Sequence, residues 1–293
     1  MKLRTGFSKI PLPEVIIMLI LTWIMGTIFV ALFSSLFPSL STSLELMLFL
    51  SEYILKPFVV VYLLLRVKSE GFSSDKLLKD EFTSIPFEES IADICVLFCL
   101  NQIMLYSNII LMNYFNLEIT TPETSNQFTS NSSLLLTLVS TLGLMFIAPI
   151  TEEIFFRGWI LNRLLAGKSV LISAFITSIL FAILHGPGRV ISIFMGGMIL
   201  AILYLKYQNI GVPIILHIFQ NALGSLLYDF IGVDKLIDWI SSLSSQPGIG
   251  MIILFLSSVF YIGCIGAMIY FMKKNWPNAN QVKFFDTSEV KFD

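Results

Sequence analysis

Apolar runs recur along the chain, each about the length needed to cross a hydrocarbon core, roughly 20 residues at 1.5 Å rise per residue. Eight spans are expected, at about 14–37, 44–65, 91–113, 134–165, 169–185, 190–207, 212–230 and 249–272. The fourth is long enough to be two pieces joined at Pro149. A helix closes its backbone hydrogen bonds within the span, as the bilayer demands. The expected fold is therefore all-α, a polytopic transmembrane helical bundle. Only 13% of the 293 residues are charged, against about a quarter in soluble domains. No polar block is large enough for a second, soluble domain. Three parts are expected: residues 1–133 with spans one to three and a charged loop, a core at 134–230, and a last span with a polar tail at 231–293.

Orientation follows from the Lys and Arg distribution. With the N-terminus inside, inside segments hold 15 of these residues and outside segments only Arg189 and Lys235. That bias places both termini in the cytoplasm. Lys2, Arg4 and Lys9 precede the apolar stretch Val15 to Leu36 as they would in a signal peptide. The stretch is too long for such a peptide and lacks a small-x-small cleavage site, so it reads as a retained span. Lys56 falls inside span two, four residues after Glu52, which can neutralise it. A net charge of −2 argues against a nucleic-acid partner. Cys95, Cys99 and Cys264 lie in apolar runs and are expected as reduced core residues, without a disulfide or a metal.

A charge kept within a bilayer costs at least about 2.5–3.5 kcal/mol on insertion scales, so it marks a candidate site. The stretch "PITEEIFFRGWILNRL", 149–164, puts Glu152, Glu153 and Arg157 at the end of an apolar run. The only two histidines, His185 and His217, lie in "ILFAILHGPG" and "VPIILHIFQNAL". Asn221 follows His217 by four residues, on the same helix face. Gly167-Lys168-Ser169 reads as the turn between spans four and five. Glu152 precedes Lys168 by nearly the same stretch of chain as His185 follows it. In an antiparallel hairpin they meet at one height. Glu153 and Arg157 are spaced i,i+4 and can pair on their own helix. Glu152 gains no partner from its own helix, and such a carboxylate suits a general base or acid. The bland readings are a helix-end pair of glutamates favoured by the helix dipole, and a His and Asn that only glue helices.

The residues also form three motifs in order: "EEIFFR" as E-E-x-x-x-R, "FAILH" as F-x-x-x-H and "HIFQN" as H-x-x-x-N. Together, over roughly residues 134 to 230, they resemble the CPBP family of intramembrane proteases, also called the CAAX-protease and bacteriocin-processing, or Abi, family. The resemblance implies peptide-bond hydrolysis within the membrane. Glu152 and His185 would activate the attacking water; His217 and Asn221 would hold the oxyanion. No cofactor is required in that mechanism. The alternative is a zinc metalloprotease with Glu152, His185 and His217 as ligands and one open position, although no H-E-x-x-H is present. The expected partners are the lipid bilayer and a membrane-associated or lipidated peptide substrate. The expected location is a membrane, taken as a bacterial plasma membrane. Competing expectations are a non-catalytic partner, such as a bacteriocin self-immunity or regulatory protein on this fold, and a transporter with a proton relay, against which no inverted repeat is evident.

One difficulty is geometric. Straight helices would set His217 roughly 27 Å from His185 along span six. Closing that gap calls for a segment that starts within the membrane at Gly186-Pro187-Gly188, or for an inward dip near Gly211 and Pro213. Backbone of that kind is tolerated where it lines a cavity.

Overall fold

The computed structural model describes residues 2–36, 56–69, 91–115, 141–185, 189–227, 233–244 and 246–278. Every regular element among them is helical. In chain order these are α1 (Lys2–Lys9), α2 (Leu12–Leu36), α3 (Lys56–Ser69), α4 (Ile91–Tyr114), α5 (143–165), α6 (Val170–Ile183), α7 (Val190–Tyr207), α8 (Gly211–Ser225), α9 (Val233–Ser244) and α10 (Pro247–Lys274).

Three of these hold segments long and apolar enough to cross a membrane: Ile94–Met112, Val190–Tyr207 and Gly248–Lys274. Leu12–Ile28 and Val170–Ile183 are shorter apolar stretches. The described residues therefore do not reach the expected eight spans. The second enters only at Lys56, because 44–55 lie outside the described residues, as do Glu52, the loops at 70–90 and 116–133, and the tail from 279. The seventh is a helix of only 15 residues. Two helices have no counterpart among the expected spans. α1 buries Phe7 and Ile10 against the end of α5, and α9 packs on α4 and α10.

α7 is the core helix. Its residues from Gly197 to Leu205 are all buried, and α6, α8, α4 and α10 pack around it. α10 is the opposite case. Met251, Ile252, Phe255, Phe260 and Ile262 stand exposed on it, as suits a helix facing lipid. The cysteines divide the same way. Cys264 is buried, but Cys99 is exposed and Cys95 only partly covered. All three are free, yet only Cys264 belongs to the core.

α5 is a composite. Gly143–Ile147 and Ile154–Leu161 are wide π turns, and Ala148–Glu153 and Asn162–Leu165 are ordinary α turns. Pro149 has no N–H for the carbonyl four residues back, and its ring crowds that turn. The preceding turn widens instead, with the Ala148 N–H bonded to the Gly143 carbonyl. In the second wide segment, the Asn162 amide reaches the carbonyls of Arg157 and Gly158 at 3.0 and 2.6 Å. The turn to α6 ends on Ser169, whose hydroxyl accepts from the Ile172 N–H at 3.4 Å.

Two contacts fix levels in the bundle. Glu14, at the start of α2, accepts from Arg66 Nε at 2.6 Å and from the Tyr62 hydroxyl, both near the end of α3. Lys206, at the end of α7, donates to Asn275 Oδ1 at 2.9 Å, just past α10. The first sets the start of α2 level with the end of α3, and the second sets the ends of α7 and α10 level. Arg157 leaves the tally of inside cations, since it is fully buried.

The α6–α7 seam depends on close approach at Gly197. A Cβ there would lie 3.3 Å from the Ser178 Cβ and 3.4 Å from Arg157 Nη2. Gly197→Val should therefore overpack the seam and destabilise by about 1–3 kcal/mol. Gly263→Ala on α10, where nothing lies within 4 Å, should hold or slightly raise the melting temperature, since glycine inside a helix costs about 0.5–1 kcal/mol relative to alanine. Thermal melts of both variants in detergent check this, and equal shifts would refute the assignment of the seam.

Candidate active site

Glu152 and Glu153 are neighbours on α5 but face different surroundings. Glu153 is fully buried, as is Arg157. Arg157 Nη1 donates to Glu153 Oε1 at 2.7 Å, the i,i+4 pair. Arg157 Nη2 donates to the Gly197 carbonyl at 3.1 Å, and its guanidinium lies 4.7 Å from the Phe181 ring centre. His217 Nδ1 also donates to Glu153 Oε1, at 2.8 Å. Glu153 is thus more than half of a local pair: it ties α5 to α8 by orienting a histidine. Spacing on one helix reveals the arginine and carries no signal for a histidine so far along the chain.

Glu152 faces the other way, and it has a partner that sequence spacing does not supply. Lys56 Nζ, at the start of α3, donates to Glu152 Oε1 at 2.7 Å. The expected neutralisation of Lys56 by Glu52 lies outside the described residues; the described partner is Glu152. The other oxygen, Oε2, is 3.9 Å from His185 Nε2 and 3.9 Å from His217 Nε2. Such gaps are too long for direct hydrogen bonds and suit one bridging water.

The hairpin count therefore holds as geometry, since Glu152 and His185 stand side by side. The closeness of the two histidines holds as well, without the separation that straight helices would impose. Both imidazoles approach one carboxylate oxygen, so their Nε2 atoms lie within twice 3.9 Å of each other. The objection assumes helices of equal tilt stacked in height. Instead α8 packs directly on α5 at 143–153, which brings His217 to the glutamates whatever the rise of α7. Gly186-Pro187-Gly188, the candidate start within the membrane, lies outside the described residues.

Both rings are pinned at Nδ1. His185 Nδ1 donates to the Phe181 carbonyl at 2.7 Å, and His217 Nδ1 to Glu153. A carbonyl and an ionised carboxylate can only accept, so each Nδ1 carries a proton and each Nε2 turns toward Glu152. Phe181 organises the pair: its ring centre is 4.5 Å from that of His185, 5.7 Å from that of His217 and 5.1 Å from that of Phe156. Asn221 is employed differently. Its side-chain amide donates to the Leu144 carbonyl at 2.9 Å, inside the first wide turn of α5. One of its two N–H groups thus fixes α5 instead of facing the Glu152 cluster.

A cavity of about 380 Å³ opens beside this cluster. Lys56, Glu152 and His185 are its charged and titratable lining, and Leu19, Val59, Val60, Phe155, Phe156 and Leu184 supply most of the rest. The donor types would suit zinc, with Glu152 Oε2, His185 Nε2 and His217 Nε2 as the atoms that would hold it. No group of three His, Cys, Asp or Glu among the described residues already has the geometry of a metal site, and the Lys56 ammonium takes only Glu152 Oε1.

Fold and site together describe a helical membrane protein with a glutamate–histidine cluster beside an apolar cavity. Residues 134–223 match the family model described as type II CAAX prenyl endopeptidase Rce1-like. Over that segment, about a third of its length, the chain is similar to the CAAX-protease family. No curated protein matches the chain, and no solved structure does.

Glu153→Ala removes the acceptor of two buried donors. It should destabilise by about 3–5 kcal/mol, the cost of breaking a buried charge pair, and should also lower activity by freeing His217. Arg157→Met should share the stability loss and keep more activity, because His217 retains its acceptor. Melting temperatures and turnover of the two variants check this; equal loss of activity per degree of destabilisation would remove the orienting role.

Proposed function

We propose that the protein is an intramembrane endopeptidase that hydrolyses a peptide bond of a membrane-associated peptide. The observation that carries this reading is one carboxylate oxygen, Glu152 Oε2, flanked at 3.9 Å by two imidazole nitrogens beside a cavity, in a segment that matches a peptidase family. The family's name makes a prenylated C-terminal Cys-a-a-X peptide the first substrate to try, and the apolar lining is compatible with a lipidated chain.

In this mechanism a water sits between Glu152 Oε2 and His185 Nε2. Glu152 takes a proton as the water oxygen adds to the scissile carbonyl. The tetrahedral oxyanion forms facing His217. Neutral His217 offers only a lone pair at Nε2, because Nδ1 holds its proton against Glu153. It donates to the oxyanion only as the imidazolium, and the Glu153 carboxylate stabilises that form in the manner of the acid in a catalytic triad. The second N–H of Asn221 is the remaining oxyanion donor this reading offers. Collapse breaks the C–N bond, and the proton passes from Glu152 to the leaving amine. Arg157 and Glu153 support the site without touching the substrate.

The same proposal includes eight spans with both termini cytoplasmic and a place in a bacterial plasma membrane. The family description names a peptidase and lends no support to an immunity role.

Glu152→Gln keeps size and removes the base. It should lower turnover by about 10²–10⁴-fold, the contribution typical of general base catalysis, while the protein still folds and inserts. The check is cleavage of an internally quenched prenylated peptide, with membrane peptidomics of cells carrying wild type or Glu152→Gln to find natural substrates. Identical peptide profiles with no cleavage by wild type would sink the peptidase reading.

Metal dependence is a separate expectation. Activity should survive a strong chelator, and elemental analysis should find less than stoichiometric zinc. Activity that disappears on chelation and returns with zinc would make Glu152, His185 and His217 ligands and overturn the metal-free mechanism.

A further inference from the structure

Lys56 is a costly residue where it stands. It stands in the first described turn of α3, with Pro57 next. Arg66, ten residues on, meets Glu14 at the far end of α3, which puts Lys56 about 15 Å along the helix from that level. The surrounding wall is apolar: Leu19, Val59 and Val60. A cation held there calls for a specific compensating partner, and Glu152 Oε1 is one at 2.7 Å.

We propose that Lys56 is a positioning residue for Glu152: it binds Oε1 and thereby commits Oε2 to the space between the two histidines. The two oxygens of a carboxylate are chemically equivalent, and one torsion exchanges them. Nothing on α5 distinguishes them. With Oε1 tied to α3, the torsion is fixed and the other oxygen keeps its equal 3.9 Å approach to His185 and His217. Both imidazoles are independently pinned at Nδ1, so the carboxylate is the one member of the trio that a partner outside α5, α6 and α8 must orient. Lys56 lies outside the 134–223 segment that carries the family match, so the site is completed by the N-terminal part of the chain. Its catalytic consequence rests on the peptidase reading; the pairing does not.

The test uses the full-length protein and the quenched prenylated peptide. Lys56→Met should lower kcat by about 10²-fold, the scale of a misplaced catalytic group, with KM little changed. Lys56→Arg should restore part of the loss. Lys56→Cys should behave like Lys56→Met until alkylated with 2-bromoethylamine, which rebuilds a side chain of nearly the same length and charge; wild type treated identically controls for Cys95, Cys99 and Cys264. An undiminished kcat in Lys56→Met, or no recovery in the arginine and alkylated variants, overturns the proposal. A thermal double-mutant cycle with Lys56→Met and Glu152→Gln reads the pairing without activity. Non-additive shifts support the pair, and additive shifts overturn it. If wild type cleaves nothing, the peptidase reading fails and the cycle alone decides the pair.

Discussion

The buried carboxylate of Glu153 is the constraint from which the rest of the site follows. One oxygen accepts from Arg157 and from His217, and all three groups are shut away from solvent. A pair of charges in such a place is weak evidence for stability, since burying both costs several kcal/mol. Its worth here is geometric. Arg157 also holds the Gly197 carbonyl and His217 belongs to α8, so one residue on α5 sets the positions of α7 and α8 together. The other oxygen of Glu153 and Nε of Arg157 have no hydrogen-bond partner among the described residues. The network is therefore held tightly at one atom and incompletely elsewhere.

The second device is the irregularity of α5. An unbroken α-helix would place residues 143–165 at a uniform 3.6 per turn. The two wide turns change the angular phase before and after the glutamates. The glutamates themselves share the ordinary α turn between them, about 100° apart, so that Glu153 meets Arg157 and His217 while Glu152 meets Lys56 and the cavity. Wide turns leave carbonyls that ordinary helical bonds would have used, and two asparagines take them. Asn221 bonds Leu144 in the first, and Asn162 bonds Arg157 and Gly158 in the second. Polar side chains within a span that look like spare glue are thus part of the shape of the helix bearing the site.

Much of this is legible in the sequence because the rules involved are local. Apolar runs imply the helical class, the i,i+4 rule pairs Glu153 with Arg157, and equal distances from the Gly167–Ser169 turn set Glu152 beside His185. What escapes is whatever depends on how helices cross. Counting residues sets His217 a whole helix length from His185, because rise along a helix says nothing of tilt. Spacing offers Lys56 a near neighbour, although its described partner is 96 residues away. Asn221 reads only as an oxyanion donor or as glue between helices, since a wide turn leaves no periodic mark in sequence and the carbonyl it exposes cannot be foreseen. The span count rests on a different local rule. Apolar length is equated with crossing, yet Val170–Ile183 and Gly211–Ser225 are short helices that carry or end close to the site.

The arrangement separates two tasks that a membrane hydrolase must reconcile. The attacking water needs polar groups at depth, and a membrane-borne peptide needs an apolar approach. The carboxylates and imidazoles come from α5, the end of α6 and α8, within the family segment. The apolar wall at Leu19, Val59 and Val60 comes from α2 and α3, outside it. In the proposed reading, chemistry is carried by the part of the chain that matches a family, and much of the approach by the part that does not. In the proposed reading, substitutions at Val59 or Val60 act on which peptide reaches the site, whereas Lys56, one turn earlier on the same helix, acts on the carboxylate that activates the attacking water. One helix therefore links the choice of substrate to the readiness of the base.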